Sequence, residues 1–359
     1  MIHESLRETY MKRCLDLAVS GLGNTAPNPM VGSVIVYNGK IIGEGYHRQA
    51  GGPHAEVHAV NSVKDKSLLK ESVLYVNLEP CSHTGKTPPC ADLIIKSGIP
   101  RVVAGMEDPN PAVAGSGFRK LRDAQIQVTT GVLEDECREL NKRFITFHVK
   151  KRPYVVLKWA QTNDYFIDIL RGQTDYPEPT WISNEISRML VHKWRTEEQS
   201  ILVGTNTALM DNPRLNVREW KGRSPVRMVL DRTLRLPKNL HVFDNTSPTI
   251  VFNALKNNKE KNTTYVRLDF NDHLLENMLK YLYDSGFQSV LVEGGRMLLN
   301  GFIRSNLWDE ARVFKGNKLF GSGISAPSIP IVQPEEYLIR EDLLMIYKNQ
   351  EVHRLEARG

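Results

Sequence analysis

Short apolar runs rich in β-branched residues alternate with helix-patterned segments along almost the whole 359-residue chain, and nothing else in it constrains the fold as strongly. Residues 31–36 (VGSVIV) read as a strand ending at the turn residues Asn38 and Gly39, with 40–44 as its hairpin partner. A helix begins at His54, a strand covers 72–77, and a helix over 90–97 is stopped by Gly98. A strand at 101–105, a helix at 117–124 and a strand at 127–129 follow. This order predicts an α/β fold whose sheet carries helices on both faces. Near Lys150 the pattern breaks. The string KKRP (150–153) is charged and ends in a helix-incompatible proline, and a fresh strand, YVVLKWA, comes after it. Beyond the break, helices are expected over 184–197, 273–283 and 296–304, and strands over 200–204, 226–230, 249–252, 289–293 and 309–314. Two domains result, 1–149 and 150–359, each long enough to bury a core, with no internal repeat relating them.

Composition narrows the class. Hydrophobic residues are 41% and charged residues 25%, which excludes collagenous, low-complexity and wholly disordered chains. The net charge of +6 is mild and suits an anionic small substrate at least as well as nucleic acid. The first twenty residues mix both charge signs into an apolar rhythm, predicting an amphipathic helix with Met11, Leu15 and Val19 on one face. That is no targeting signal, and no run approaches the roughly 20 apolar residues of a membrane span. The expectation is a cytoplasmic protein without a membrane partner.

Two motifs about 25 residues apart carry the chemistry. The first is His54-Ala55-Glu56, after Gly51-Gly52-Pro53; the second runs from Glu79-Pro80-Cys81 through His83 to Pro89-Cys90. One imidazole and two thiolates make three protein ligands and leave a tetrahedral position open, the pattern of a catalytic zinc and not of a closed structural one. Zinc lowers the pKa of its bound water to about 7. Glu56, two residues from His54, is placed to shuttle protons without binding the metal. The residue types and their order match the nucleobase-deaminase signature H-x-E followed by P-C-x-x-C, except that eight residues, not two, separate the cysteines. Cys90 is expected at a helix start, where a thiolate is favoured. His58 shares a helix face with His54 and reads as a packed residue or one supporting the ligand sooner than as a rival ligand. His83 could touch substrate or metal; Cys14 and Cys137 lie in expected helices and read as structural.

Three strings then become specific. APNPMVGSVIV (26–36), GGPHAEVHAV (51–60) and LEPCSHTGKTPPC (78–90) closely resemble the deaminase half of bifunctional riboflavin biosynthesis proteins, whose cysteine spacing is also eight. The resemblance implies a cytidine-deaminase-like α/β/α domain, zinc on His54, Cys81 and Cys90, and Glu56 as the catalytic proton shuttle. It implies hydrolytic deamination of 2,5-diamino-6-ribosylamino-4(3H)-pyrimidinone 5′-phosphate. Asn28 would line that pocket or merely make a turn before Pro29; His83, inside the cysteine loop, is a better candidate for substrate contact than for the metal.

Unaided, the second half shows one site hint: Glu293-Gly294-Gly295-Arg296 follows an apolar strand and opens a helix. Paired glycines there let backbone N–H groups approach a phosphate, or simply allow a tight turn. No G-x-G-x-x-G stands at a strand-to-helix turn. LKWAQTNDYFID (157–168), WIS (181–183), GTNTALMDNPRLNVR (204–218) and VEGG (292–295) resemble the reductase domain of the same family, similar in fold to dihydrofolate reductase. By that resemblance NADPH delivers hydride to open the ribosyl group into a ribityl chain. Ala160, Trp181, Thr207, Asp211 and Gly295, Arg296, Met297, Leu298, Leu299, Asn300 and Gly301 would contact NADPH. Arg195, Leu215, Arg218 and Glu293 would contact substrate, the two arginines making physical sense as a phosphate clamp. A homodimer or higher oligomer is implied by the family alone. Three positions depart from the family pattern: Tyr165 stands where a glycine is usual, Pro179 and Arg232 where serines are.

Two other readings compete. A deaminase acting on nucleic acid would place a basic cluster beside the metal motif, and none flanks His54 or Cys90. A non-catalytic binding protein on a degenerate reductase scaffold is suggested by the lost glycine at Tyr165.

Overall fold

The computed structural model describes residues 2–83, 88–170, 180–330 and 333–349, with side chains from residue 5 onward. Pro179 lies outside the described residues. The chain forms two compact units, Met1–Lys151 and Arg152–Gly359.

In the first unit, α1 (Ile2–Val19) precedes the hairpin β1 (Gly32–Tyr37) and β2 (Lys40–Tyr46), then α2 (Ala55–Ser62), β3 (Val73–Leu78), α3 (Cys90–Ser97), β4 (Arg101–Met106), α4 (Ser116–Asp123), β5 (Gln127–Thr129), α5 (Glu134–Leu140) and α6 (Lys142–Lys150). The sheet order is β2-β1-β3-β4-β5. β1 is antiparallel to both β2 and β3, whereas β3, β4 and β5 run parallel. Strand periodicity builds the layers. Ile35, Leu74, Val76, Val102 and Ala104 face Ala59 and Val60 of α2, Ala91 and Ile94 of α3, and Phe118 and Leu121 of α4. Their neighbours Val34, Val36, Tyr75 and Val103 face Met11 and Cys14 of α1 and Cys137 of α5. The expected face of α1 is wrong in one member. Met11, Cys14 and Ala18 are fully buried, Leu15 is half-buried, and Val19 is 50% exposed, because the helix ends there and its last turn leaves the sheet.

The second unit contains β6 (Tyr154–Gln161), β7 (Phe166–Asp168), α7 (Glu185–Glu197), β8 (Ser200–Val203), α8 (Thr205–Asp211), β9 (Val226–Leu230), β10 (Thr249–Asn253), β11 (Asn258–Glu260), β12 (Thr263–Arg267), α9 (Leu274–Asp284), β13 (Ser289–Val292), α10 (Arg296–Arg304), β14 (Glu310–Lys315), β15 (Ile324–Ser325), β16 (Glu335–Ile339) and β17 (Asp342–Lys348). One sheet has the order β11-β12-β10-β9-β8-β13-β6-β14-β17-β16, and β15 pairs with β7 separately. The seven strands from β12 to β14 are parallel, and β11, β17 and β16 are antiparallel additions at the edges. Val155 and Leu157 pack under α9 and α10, while Tyr154 and Val156 point to the opposite core with Val242 and Phe243. The parallel run places the carboxyl ends of β6, β8, β9 and β13 along one edge, where open α/β sheets bind ligands.

Candidate active sites

In the first unit, His54 is the N-cap of α2, with extended backbone (φ −74°, ψ 166°), so its ring hangs beside the first turn that carries Glu56. Cys81 comes three residues after β3, and Cys90 is the first residue of α3. These three side chains converge. Their ligand atoms lie within 4.8 Å of one another, with His54 Nδ1 at 3.5 Å from Cys81 Sγ and 3.3 Å from Cys90 Sγ. Among the described residues no other group of three or more His, Cys, Asp or Glu gathers in this way.

The electrostatics differ from the expectation in one respect. The Cys90 backbone N–H at the start of α3 donates to Cys81 Sγ at 3.3 Å, so the helix terminus favours a thiolate on Cys81, not on Cys90 itself. The Cys90 thiol, the His54 ring and that N–H hold Cys81 down at about 4, although burial opposes them. The Cys90 thiol is pushed up, because it shares a proton with Cys81 and is buried. Glu56 is only 3% exposed; burial and the nearby Cys81 charge raise its carboxyl above the ordinary range. A buried carboxyl beside the cluster stands where a proton shuttle is needed.

Neighbouring residues build the frame. Asn28 Nδ2 lies 3.0 Å from His47 Nε2, and His47 Nδ1 lies 2.9 Å from the Pro53 carbonyl. The His47 ring meets His54 edge-on, centroids 5.4 Å apart, and burial lowers its pKa. Asn28 is thus tied to the residue beside the metal-type cluster and does more than turn the chain. Glu79 is buried and accepts four backbone N–H groups, from Asp108 (3.1 Å), Gly115 (2.9 Å), Gly117 (2.7 Å) and Phe118 (3.3 Å), which pins the loop before α4 against the site. His83 is exposed near Asp108 and stands outside the His–Cys–Cys group. His58 also stands outside it; its buried Nε2 has no partner, and burial lowers its pKa.

In the second unit a cavity of about 1270 Å³ opens along the carboxyl edge of the sheet. Ala160, Trp181, Thr207, Asp211, Gly295, Arg296, Met297, Leu298, Leu299 and Gly301 all line it, as do Arg195, Leu215, Arg218 and Glu293; Asn300 does not. Gly295 has φ 75°, and a Cβ on Gly294 would meet Thr207 Cγ2 at 2.9 Å, so both glycines are required by the turn itself. Trp181 is half-exposed at the wall, with the Arg188 guanidinium 4.7 Å from its ring centroid.

The two arginines are not equivalent. Arg195 donates from Nε and Nη2 to Glu293 at 2.8 and 2.7 Å and from Nη1 to the Asn216 carbonyl at 3.0 Å, so its fork is already committed. The clamp reading therefore rests on Arg218, whose side chain is 43% exposed and makes only long contacts, Nη1 at 3.4 Å from Asn216 Oδ1 and Nε at 3.7 Å from Glu219 Oε1. Burial alone would raise the Glu293 carboxyl, but the Arg195 charge and hydrogen bonds, with the Lys158 charge, hold it at about 2. Leu215, between these groups in sequence, is buried at φ 51°, a strained conformation for a branched side chain.

Several lining residues escaped the sequence reading. Lys158, on β6, has its ammonium pKa lowered by burial and by Arg195, with Glu293 opposing; a lone lysine inside an apolar strand was the available signal. His192, one turn before Arg195 on α7, accepts the Arg218 backbone N–H at 3.4 Å through Nδ1. Burial and the two guanidiniums lower it to about 4, so it is neutral at pH 7. Of the departures from the family pattern, Arg232 lines the cavity and Tyr165 does not.

Comparison with known proteins follows the same division. Residues 4–106 match the cytidine and deoxycytidylate deaminase zinc-binding region, and residues 153–341 match the RibD C-terminal domain. The riboflavin biosynthesis protein RibD of Aquifex aeolicus is 42% identical over 97% of this chain and 99% of its own, and that of Escherichia coli is 36% identical over 88% and 89%. Among solved structures, a diaminohydroxyphosphoribosylaminopyrimidine deaminase/5-amino-6-(5-phosphoribosylamino)uracil reductase of Thermotoga maritima superposes with a TM-score of 0.86 at 40% identity, covering 96% of this chain and 99% of that one. Acinetobacter baumannii RibD superposes with a TM-score of 0.84 at 30% identity, with the same coverage.

Proposed function

The chain belongs to the family of bifunctional riboflavin biosynthesis deaminase–reductases, and from that premise we propose that its deaminase centre is His54, Glu56, Cys81 and Cys90 and its reductase centre the cavity of the second unit. The activities are zinc-dependent hydrolytic deamination of 2,5-diamino-6-ribosylamino-4(3H)-pyrimidinone 5′-phosphate, then NADPH-dependent reduction of the ribosyl group of 5-amino-6-(5-phosphoribosylamino)uracil to ribityl. We assign the first to residues 1–149 and the second to 150–359.

The observation that carries the reading is the convergence of one imidazole nitrogen and two sulfurs within 4.8 Å beside a buried carboxyl. Two soft thiolate donors and an imidazole suit zinc, and would hold it with one coordination position left for the reaction. Bound there, zinc supplies Lewis acidity toward water at neutral pH. Glu56 passes the first proton of the attacking water to the ring nitrogen and then the proton of the new hydroxyl to the departing amine, which leaves as ammonia. Asn28 and His47 fix the His54 side of the pocket, Glu79 fixes the opposite wall, and His83 meets substrate.

In the cavity, the lining residues suit a dinucleotide beside a phosphorylated sugar: a glycine turn, a tryptophan wall and several cations. NADPH supplies the hydride. Opening the ribose ring requires a proton on the ring oxygen as hydride arrives at C1′. Lys158, an ammonium with a lowered pKa between Glu293 and Arg195, holds that proton. Arg218 binds the substrate phosphate, and Arg195 and Glu293 brace its loop. The same premise makes the protein a cytoplasmic dimer or higher oligomer that acts on the free phosphoribosyl pyrimidine and not on nucleic acid.

The test is the purified chain with the phosphorylated diaminopyrimidine, with and without NADPH, together with metal analysis. Ammonia release without NADPH, one zinc per chain, and NADPH oxidation only after deamination are expected. Ammonia release from protein that contains no zinc would refute the assignment of the first site.

A further inference from the structure

Arg218 stands in a loop without helix or strand, between Asp211 at the end of α8 and Val226 at the start of β9. Among the described residues no backbone-to-backbone hydrogen bond braces 213–224, so the direction of its guanidinium depends on what else ties that backbone down. Two ties come from one face of α7. Arg195 Nη1 donates to the Asn216 carbonyl at 3.0 Å, and His192, three residues earlier, accepts the Arg218 backbone N–H through Nδ1 at 3.4 Å. A third tie, from the Val217 N–H to Ser224 Oγ at 3.1 Å, stays inside the loop.

His192 suits this task better than a charged group would. It is 3% exposed, and four charged groups surround it: Arg195 on α7, Arg218 and Glu219 in the loop, and Glu293 just after β13. Burial and the two guanidiniums outweigh the two carboxylates and lower its pKa to about 4, so at pH 7 the ring carries one proton. Because Nδ1 accepts, that proton sits on Nε2 and faces Glu219 Oε1, 3.6 Å away. An aspartate in this place could accept the same N–H, but its charge would compete with a phosphate for the guanidinium. The imidazole adds no charge. It also grips the backbone and leaves the Arg218 fork for a ligand, whereas the fork of Arg195 is already spent on Glu293 and Asn216.

We propose that His192 is a positioning residue of the reductase site, an uncharged acceptor that fixes the Arg218 backbone so that the guanidinium meets the phosphate of the reductase substrate. The proposal rests on the reading of Arg218 as the phosphate-binding residue and adds what holds that residue in place.

Asparagine and leucine have nearly the same size and shape, and asparagine Oδ1 can stand where Nδ1 stands, so the two replacements differ in the acceptor. Steady-state KM and kcat for 5-amino-6-(5-phosphoribosylamino)uracil are measured in full-length His192→Leu, His192→Asn, Arg218→Ala and His192→Leu/Arg218→Ala proteins. Tryptophan fluorescence in urea checks the fold, and ammonia release from the other unit is the control. Loss of one neutral hydrogen bond predicts a KM about 3- to 10-fold higher in His192→Leu with kcat nearly unaltered, most of it recovered in His192→Asn. Without Arg218 there is nothing left to position, so the double variant should match Arg218→Ala. A KM that does not move in His192→Leu, equal increases in the leucine and asparagine variants, or multiplied effects in the double variant would each overturn the proposal. A further comparison does not depend on His192→Leu folding: His192→Asp keeps the acceptor but adds a charge, and its KM should exceed that of His192→Asn. Equal values there would also count against the proposal. If Arg218→Ala itself leaves KM unchanged, the phosphate-clamp reading fails and takes this proposal with it; in every other failing case the clamp reading survives.

Discussion

Replacing Glu293 by glutamine isolates what the buried ion pair in the reductase cavity contributes. The side chains of Arg195 and Glu293 are 10% and 8% exposed and joined by bonds of 2.8 and 2.7 Å. In Glu293→Gln one oxygen still accepts from Nε, but the new NH₂ group faces Nη2, donor against donor, and the guanidinium loses its counter-charge. The Glu293 carboxyl is lowered from 4.5 to about 2 in the folded protein. At 1.36 kcal/mol per unit, its ionised form contributes about 3 kcal/mol of stability, which agrees with the 3–5 kcal/mol range for breaking a buried pair. The carboxyl is depressed on folding, so this contribution is complete above pH 4.5 and is lost as pH falls towards 2. All five tryptophans (Trp159, Trp181, Trp194, Trp220 and Trp308) lie in the second unit, so their fluorescence during urea unfolding reports that unit alone. The variant should be about 3 kcal/mol less stable than the wild type at pH 7, and the difference should shrink below pH 4.5. Other carboxylates titrate in both proteins and cancel in the comparison. Equal stabilities at pH 7, or a difference that stays constant down to pH 3, would refute this account of the pair.

Three further outcomes are expected. Glu56→Gln should keep its zinc by metal analysis while ammonia release falls by about 10²- to 10⁴-fold, because a proton carrier is lost and no ligand is; zinc content falling in step with turnover would contradict that role. Arg218→Ala should raise the reductase KM for its phosphorylated substrate by about 10- to 100-fold and leave deamination intact; loss of both activities would contradict two separate sites. Tyr165 is held at φ 65° and is 60% exposed, with Lys315 Nζ 4.9 Å from its ring centroid. Relief of left-handed strain, about 1–2 kcal/mol, should outweigh the extra unfolded-state entropy of glycine, so Tyr165→Gly should stabilise the second unit by up to about 1 kcal/mol in the fluorescence assay. NADPH oxidation should be unchanged, since Tyr165 is outside the cavity; destabilisation would show that the lysine–ring contact dominates.

The sheet strands and their helices were legible because period-2 and period-3.6 patterns are local: 90–97, 127–129, 226–230 and 296–304 coincide with α3, β5, β9 and α10. The antiparallel strands β16 and β17 were not foreseen. β16 is exposed along almost its whole length and shows no alternation to read, and β17 takes its place only by pairing with β14. The chemistry of the first site was legible in the same local way, since His-x-Glu and the two cysteines declare donor types without reference to distance.

The chain's residue order therefore settled the types of most core elements and the kinds of ligand atoms available. Which partners those atoms face was decided only by the folded structure. The Cys90 N–H turns back to Cys81, Glu293 consumes the fork of Arg195, and Asp231 is buried in its own turn while Arg232 and Arg235 reach the cavity. Each is a contact or a choice of direction set by how strands and helices stack, and a buried hydrogen bond spends a donor that the sequence alone leaves free.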